Sequence, residues 1–175
     1  MYDKILIVVG KTMSGKTTYV NGYLKERGFN QVKTHTTRPK RKTESNDAYH
    51  FETEINKNGL ALREYDMVDG HVAYWVEPSD IAETEHPVII IDVQGAVELI
   101  KHFGKNNVRI AYVNTSDETI LKRMRKSKRG KTEDESETMR RYMDDVNQFR
   151  KLDLFFTLKG GIDYIDGSYF LGINS

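Results

Sequence analysis

Residues 4–18 read Lys-Ile-Leu-Ile-Val-Val-Gly-Lys-Thr-Met-Ser-Gly-Lys-Thr-Thr, and their reading decides the fold. The apolar run Ile5 to Val9 predicts a strand buried on both faces, as parallel strands covered by helices are. It leads straight into Gly10-x-x-x-x-Gly15-Lys16-Thr17, the spacing of a phosphate-binding loop that opens a helix. Gly10 lets the chain leave the strand sharply, and Gly15 lets backbone N–H groups close on an anion that a Cβ would hold away. The unpaired N–H groups at the helix start favour negative charge, so Ser14, Gly15, Lys16, Thr17 and Thr18 form a candidate triphosphate cradle. Lys16 adds a full charge near the β- and γ-phosphates, and the Thr17 hydroxyl suits Mg²⁺.

Working outward, a helix is expected from Gly15 to about Arg27, with Val20, Tyr23 and Leu24 on one side and Gly28 as its C′ residue. A short helical stretch is expected near Asn58 to Leu62, and a polar helix or turn from Asp80 to Glu85. Apolar strands recur at Pro87 to Ile91 and Val108 to Val113. Asp92 follows the first of these, where ligands bind in open α/β sheets, and is also placed to cap a helix from Gln94 to Phe103. A Thr115-Ser-Asp-Glu118 capping box opens a helix through about Lys126. A last helix, Glu135 to Arg150, carries Met139, Tyr142, Met143 and Val146 as a core stripe. The ending Gly160-Gly-Ile-Asp-Tyr-Ile-Asp-Gly is too glycine-rich for a helix. The fold class is α/β, a parallel sheet with helices on both faces.

At 175 residues, 38% hydrophobic and 30% charged, the chain suits one domain with an insertion. Lys plus Arg numbers 27 against 26 for Asp plus Glu, and the net charge of +1 gives no global attraction to nucleic acid or anionic membrane. No cysteine is present, which excludes disulfides and thiolate metal sites and fits the cytoplasm. Ile5 to Val9 is too short for a signal sequence or membrane span. The five histidines, His35, His50, His71, His86 and His102, show no paired ligand spacing, so no metal held by protein alone is expected.

Residues 33–51 are polar, basic at first and broken by Pro39, so they belong on a surface as loop or short strands. They read either as a solvated basic loop or as an anion clamp. In the clamp Arg38 and Arg41 grip a second phosphate bidentately, with hydroxyls from Thr34 and Tyr49.

Thr36-Thr37-Arg38-Pro39-x-Arg41-x-x-Glu44, followed by Tyr49-His50-Phe51, resembles the acceptor-binding segment of guanylate kinases. The resemblance implies that Arg38, Arg41, Tyr49 and Thr34 hold the phosphate of GMP. It also implies that Glu64, six positions before Gly70, reads the guanine edge. After that glycine the family reads Asn-x-Tyr-Gly-Thr-Ser, whereas this chain has His71-Val-Ala-Tyr74-Trp75-Val76. Tyr74 replaces the family's tyrosine only through a one-residue shift. Asp92-Val-Gln-Gly95 resembles the family's segment that contacts the nucleotide and, through water, Mg²⁺. Arg129-Gly-Lys-Thr-Glu-Asp-Glu135 and Arg140-Arg141 resemble its lid and the helix after it, which makes Arg129 and Arg141 the arginines that close on the transferring phosphoryl group. Arg140 is the fallback for Arg141. The family's long final helix is not matched.

The resemblance thus implies a P-loop kinase fold in a single domain, with core 1–33 and 85–175, an acceptor-binding insertion about 34–84 and a lid about 127–134. It implies phosphorylation of GMP or dGMP by ATP with Mg²⁺, with Lys16, Arg38, Arg129 and Arg141 as catalytic residues. The partners expected are nucleotides, without nucleic acid or membrane, and the protein is expected to be a monomer or homodimer. The alternatives are a kinase of the same fold with another (deoxy)nucleoside monophosphate range, a non-catalytic binding module of that fold, and a nucleic-acid-stimulated ATPase.

Overall fold

The alternation of side chains along one strand builds the core. In a computed structural model, which describes residues 4–40, 44–67, 70–126, 139–140, 142–150 and 162–166, β1 (Ile5–Val9) is buried at every position. Ile5, Ile7 and Val9 pack on one side with Ile89, Leu99, Ile110 and Phe149, while Leu6 and Val8 pack on the other with Tyr19, Val20, Leu24 and Val113. A strand with helices over both faces has no polar side, which is why its sequence does not alternate.

β1 lies in the middle of a five-stranded, wholly parallel sheet in the order β2-β7-β1-β8-β9. Its neighbours are β7 (Pro87–Ile90) and β8 (Val108–Asn114), with β2 (Asn30–Gln31) and β9 (Ile162–Asp166) outside them. The glycine-rich ending therefore supplies an outer strand, β9, parallel to β8.

A second sheet runs β4-β3-β6-β5, from β3 (His35–Thr36), β4 (His50–Phe51), β5 (Leu60–Met67) and β6 (Gly70–Val76). The expected helix at Asn58 to Leu62 is instead a turn leading into β5. Gly59 lies flush on Trp75, where a Cβ would stand 2.3 Å from the indole, and Ala61 adopts φ 52 in the irregularity between Leu60 and Arg63. α2 (Pro78–Glu83) returns the chain to the core and starts two residues earlier than the sequence suggests, because Pro78 occupies its first turn.

After the loop, helical residues 16–27 (α1) pass through a π-helical turn, Tyr19–Leu24, before ending at Gly28 with φ 83. The wider turn shifts the inward face. Tyr19 is buried with Val20 and Leu24, whereas Tyr23, expected inside, is exposed beneath Arg27. α3 (Val93–Phe103) and α4 (Asp117–Lys126) follow β7 and β8. The cap of α4 is Ser116, whose hydroxyl accepts the Thr119 N–H, rather than Thr115. Helical residues 142–150 (α5) bury Tyr142 and Phe149 and half-bury Val146, but Met139 and Met143, expected in the core, are exposed. Among the described residues no helix is long and apolar enough to cross a membrane.

Candidate functional site

The candidate phosphate loop follows the end of β1 and packs against its neighbours. A Cβ on Gly10 would meet Ser14 Oγ at 2.6 Å and the Val113 carbonyl at 2.9 Å, so only glycine lets the loop pack against β8. Gly15 sits at φ 101 and N-caps α1 with no side-chain hydrogen bond, leaving the first helical N–H groups without a side-chain cap. Lys16 Nζ donates to the carbonyls of Gly10 at 2.6 Å and Lys11 at 2.9 Å, which folds the ammonium back over the loop. Ser14 Oγ is buried and, among the described residues, has no hydrogen-bond partner. A buried orphan hydroxyl, a cradle too tight for Cβ and an ammonium at its rim fit a phosphate chain. Thr17, exposed at the helix start, offers an oxygen ligand of the kind Mg²⁺ takes, and Thr18 follows it half-buried.

Four contacts not apparent from the loop motif brace this loop. Thr115 Oγ1 donates to the Ser14 carbonyl at 2.8 Å, and Arg123 donates to the Met13 carbonyl at 2.7 Å. Lys11 pairs with Asp117 at 2.5 Å, and Asp145 Oδ2 accepts the Thr12 N–H at 2.5 Å. The Lys11 hydrogen bond holds the Asp117 carboxyl below its ordinary range. Met13 takes φ 64, a conformation that costs a side-chain residue about 1 kcal/mol. Its side chain packs against the Ile120, Met124 and Tyr142 cluster between α4 and α5, which offsets that cost.

The second group of residues lies on one face of the four-stranded sheet. Arg38, 6% exposed, donates from Nε to Tyr74 Oη at 3.0 Å, from one terminal nitrogen to the Pro39 carbonyl at 2.7 Å, and from the other to both Glu44 oxygens at 2.7 and 3.0 Å. Burial alone would lower its pKa, but the Glu44 and Tyr74 contacts outweigh that and raise it. Tyr49 and Phe51 lie under the guanidinium, and Tyr49 meets Tyr74 edge-on. Tyr74 meets Tyr65 edge-on in turn, and the Tyr65 hydroxyl donates to Asp92 Oδ2 at 3.3 Å. Loss of hydration and the Asp92 charge push the Tyr65 pKa far up, so it remains a donor. Arg63 reaches Asp92 at 3.4 Å and Glu98 at 3.1 Å.

Asp92 joins the two groups. It caps α3 through Oδ1 on the Gly95 N–H at 2.6 Å, and a Cβ on Gly95 would strike Ile91 at 2.5 Å. The preceding residue, Ile91, bonds to the Val8 carbonyl, so Asp92 emerges beside the end of β1 and the start of the loop. Thr34 lies just before β3, with its carbonyl accepting the His50 N–H.

Glu64 does not join them. It pairs across the hairpin with Ala73, and Tyr65 pairs with Val72, so Glu64 and Tyr74 occupy opposite faces of the sheet. The Glu64 carboxylate is instead taken by Lys57 and His71, each at 2.7 Å, which lower its pKa. The one-residue shift that puts Tyr74 on one face leaves Glu64 on the other and sets Arg63 and Tyr65 beside Tyr74. Arg41, Arg129, Arg141 and the lid at 127–134 lie outside the described residues.

The fold has a known counterpart. A crystal structure of guanylate kinase from Anaplasma phagocytophilum aligns with a TM-score of 0.50 over 82% of this chain and 70% of that one, at 15% identity. The chain has a guanylate-kinase-like fold. No protein-family model matches it, and no curated protein matches its sequence.

Proposed function

We propose that the protein is an ATP- and Mg²⁺-dependent nucleoside monophosphate kinase acting in the cytoplasm. The observation that supports this reading is the place of Asp92, which Tyr65 and Arg63 of the insertion reach and which follows Ile91, bonded to Val8 beside the start of a loop shaped for a triphosphate. In this reading Lys16, Ser14 and the N–H groups of residues 15–18 bind and orient the donor phosphates. Thr17, with Asp92 through water, holds Mg²⁺, whose charge offsets that of the β- and γ-phosphates. Arg41 and Tyr49 bind the acceptor phosphate, Arg38 positions Tyr74, and Arg129 and Arg141 cover the transferring group. The attacking group is already an oxyanion, so positioning and charge neutralisation suffice without a general base.

The placement of Glu64 favours the broader of two acceptor readings. A guanine-selective site built on that carboxylate needs it in the crevice. The face that carries Tyr74 has Arg63 and Tyr65 instead, and tyrosine rings pack on any base without selecting one. ADP release measured across GMP, dGMP, AMP, dTMP, UMP and CMP tests this. Turnover with more than one base is expected. No turnover with any of them rejects the kinase reading. Turnover confined to guanine and lost in Glu64→Gln restores the narrower one.

A further inference from the structure

The histidines that the sequence scatters meet on the outer face of the four-stranded sheet. His35 and His50 are direct partners on the parallel strands β3 and β4, with rings stacked 4.4 Å apart. Asp80 on α2 turns its carboxylate to both. Oδ2 lies 2.9 Å from His35 Nε2, and Oδ1 lies 3.7 Å from His50 Nε2. One ligand atom from each of the three lies within 4.8 Å of the others.

Glu52 makes the arrangement informative, because it takes the other nitrogen of His35, Nδ1, at 2.9 Å. When Nδ1–H donates to Glu52, the Nε2 lone pair points toward Asp80 and His50, the orientation in which an imidazole held by a carboxylate binds a metal ion. A metal ion would use all three groups.

We propose that His35, His50 and Asp80 bind a divalent transition metal, with Zn²⁺ the fitting ion, and that Glu52 orients His35 toward it. Two imidazoles and a carboxylate suit zinc and its neighbours, whereas Mg²⁺ and Ca²⁺ prefer all-oxygen shells. Tetrahedral bonds of about 2.0–2.1 Å set ligand atoms roughly 3.3 Å apart, so the three ligand atoms, now within 4.8 Å of one another, would draw together on the ion. All three ligand residues are half-buried, which leaves a fourth position for water. Trp75 stacks on His35 and donates to Glu77 at 2.7 Å, closing one side. The ion would tie β3 and β4 to α2, and so brace from behind the strands that carry Thr36 and Phe51 into the crevice.

Titration of the full chain with Zn²⁺ alone, without nucleotide, tests the proposal independently of any kinase assay. One Zn²⁺ per chain with a dissociation constant in the micromolar range or below is expected. His50→Ala and Asp80→Asn should each weaken binding at least about tenfold, and Glu52→Gln by about tenfold through ligand orientation. His71→Ala and His102→Ala should not change it. Bound Co²⁺ should give the visible spectrum of a tetrahedral site, lost in His50→Ala. Because His50 is 38% exposed, that variant should keep its circular dichroism even if Asp80→Asn does not fold. Absence of stoichiometric binding, or wild-type affinity in folded His50→Ala, overturns the proposal.

Discussion

Glu64 and Ala73 face each other across the β5–β6 hairpin, and this pairing puts the Glu64 carboxylate on the sheet face opposite Tyr74. Glu64→Gln should therefore leave kcat/KM for every accepted nucleoside monophosphate within about threefold. Tyr65→Phe removes the hydroxyl that reaches Asp92, a contact worth about 1 kcal/mol, and should cost roughly fivefold. Steady-state kinetics of the two variants check this, and a larger loss in Glu64→Gln than in Tyr65→Phe would contradict it.

Arg38 is bound on three sides before any ligand arrives, which makes it a keystone of the insertion as well as a source of charge. Arg38→Ala removes a buried guanidinium held by Tyr74, Pro39 and Glu44 and should destabilise the fold by about 3 kcal/mol, read from denaturant unfolding. Glu44→Gln should weaken the hold on the guanidinium that positions Tyr74 and raise KM for the acceptor. An unchanged unfolding midpoint in Arg38→Ala would show that the guanidinium contributes little to the fold.

The carboxylate of Asp145 on the Thr12 N–H puts a negative charge at the rim of the candidate triphosphate cradle. Asp145→Asn keeps a hydrogen-bond acceptor for Thr12 and removes the repulsion. Calorimetry should find MgATP bound several-fold more tightly by this variant at low salt, with the gain shrinking as salt is added. Weaker binding would mean that the carboxylate supports the loop more than it opposes the nucleotide.

His71 lies between Asp66 at 2.8 Å and Glu64 at 2.7 Å, and these two, Asp66 first, raise its pKa above the ordinary 6.5. A raised value in the folded state means that this stabilisation is fully present below the unfolded pKa and is lost as pH rises through the folded one. Proton NMR of His71 should give a titration midpoint above 6.5, lowered more by Asp66→Asn than by Glu64→Gln. A midpoint at or below the ordinary value would refute the pairing.

What could be read from the sequence was what is decided locally. Ile5 to Val9, the glycine spacing of the loop, Gly28 as a left-handed helix end and Asp92 as a cap each depend on a few neighbouring residues, and each has its expected conformation. Features set by register or by distant contacts were not legible. Residue counting put Glu64 and Tyr74 at the same site, but the pleat forbids it once Tyr74 has shifted by one. His35, His50 and Asp80 are separated by 15 and 30 positions and converge only because β3 and β4 pair beside α2. Thr115 matches a cap in sequence, yet the turn leaves capping to Ser116 and gives Thr115 to the phosphate loop. Tyr23 was expected inside on a regular helical period that the π-helical turn breaks.

The most direct test follows the γ-phosphoryl group itself. Incubation of ATP labelled at that position with Mg²⁺ and each nucleoside monophosphate should yield a labelled nucleoside diphosphate, with the rate reduced about a hundredfold or more in Lys16→Ala. Label released only as inorganic phosphate, or transfer by Lys16→Ala at the wild-type rate, would contradict phosphoryl transfer at this loop.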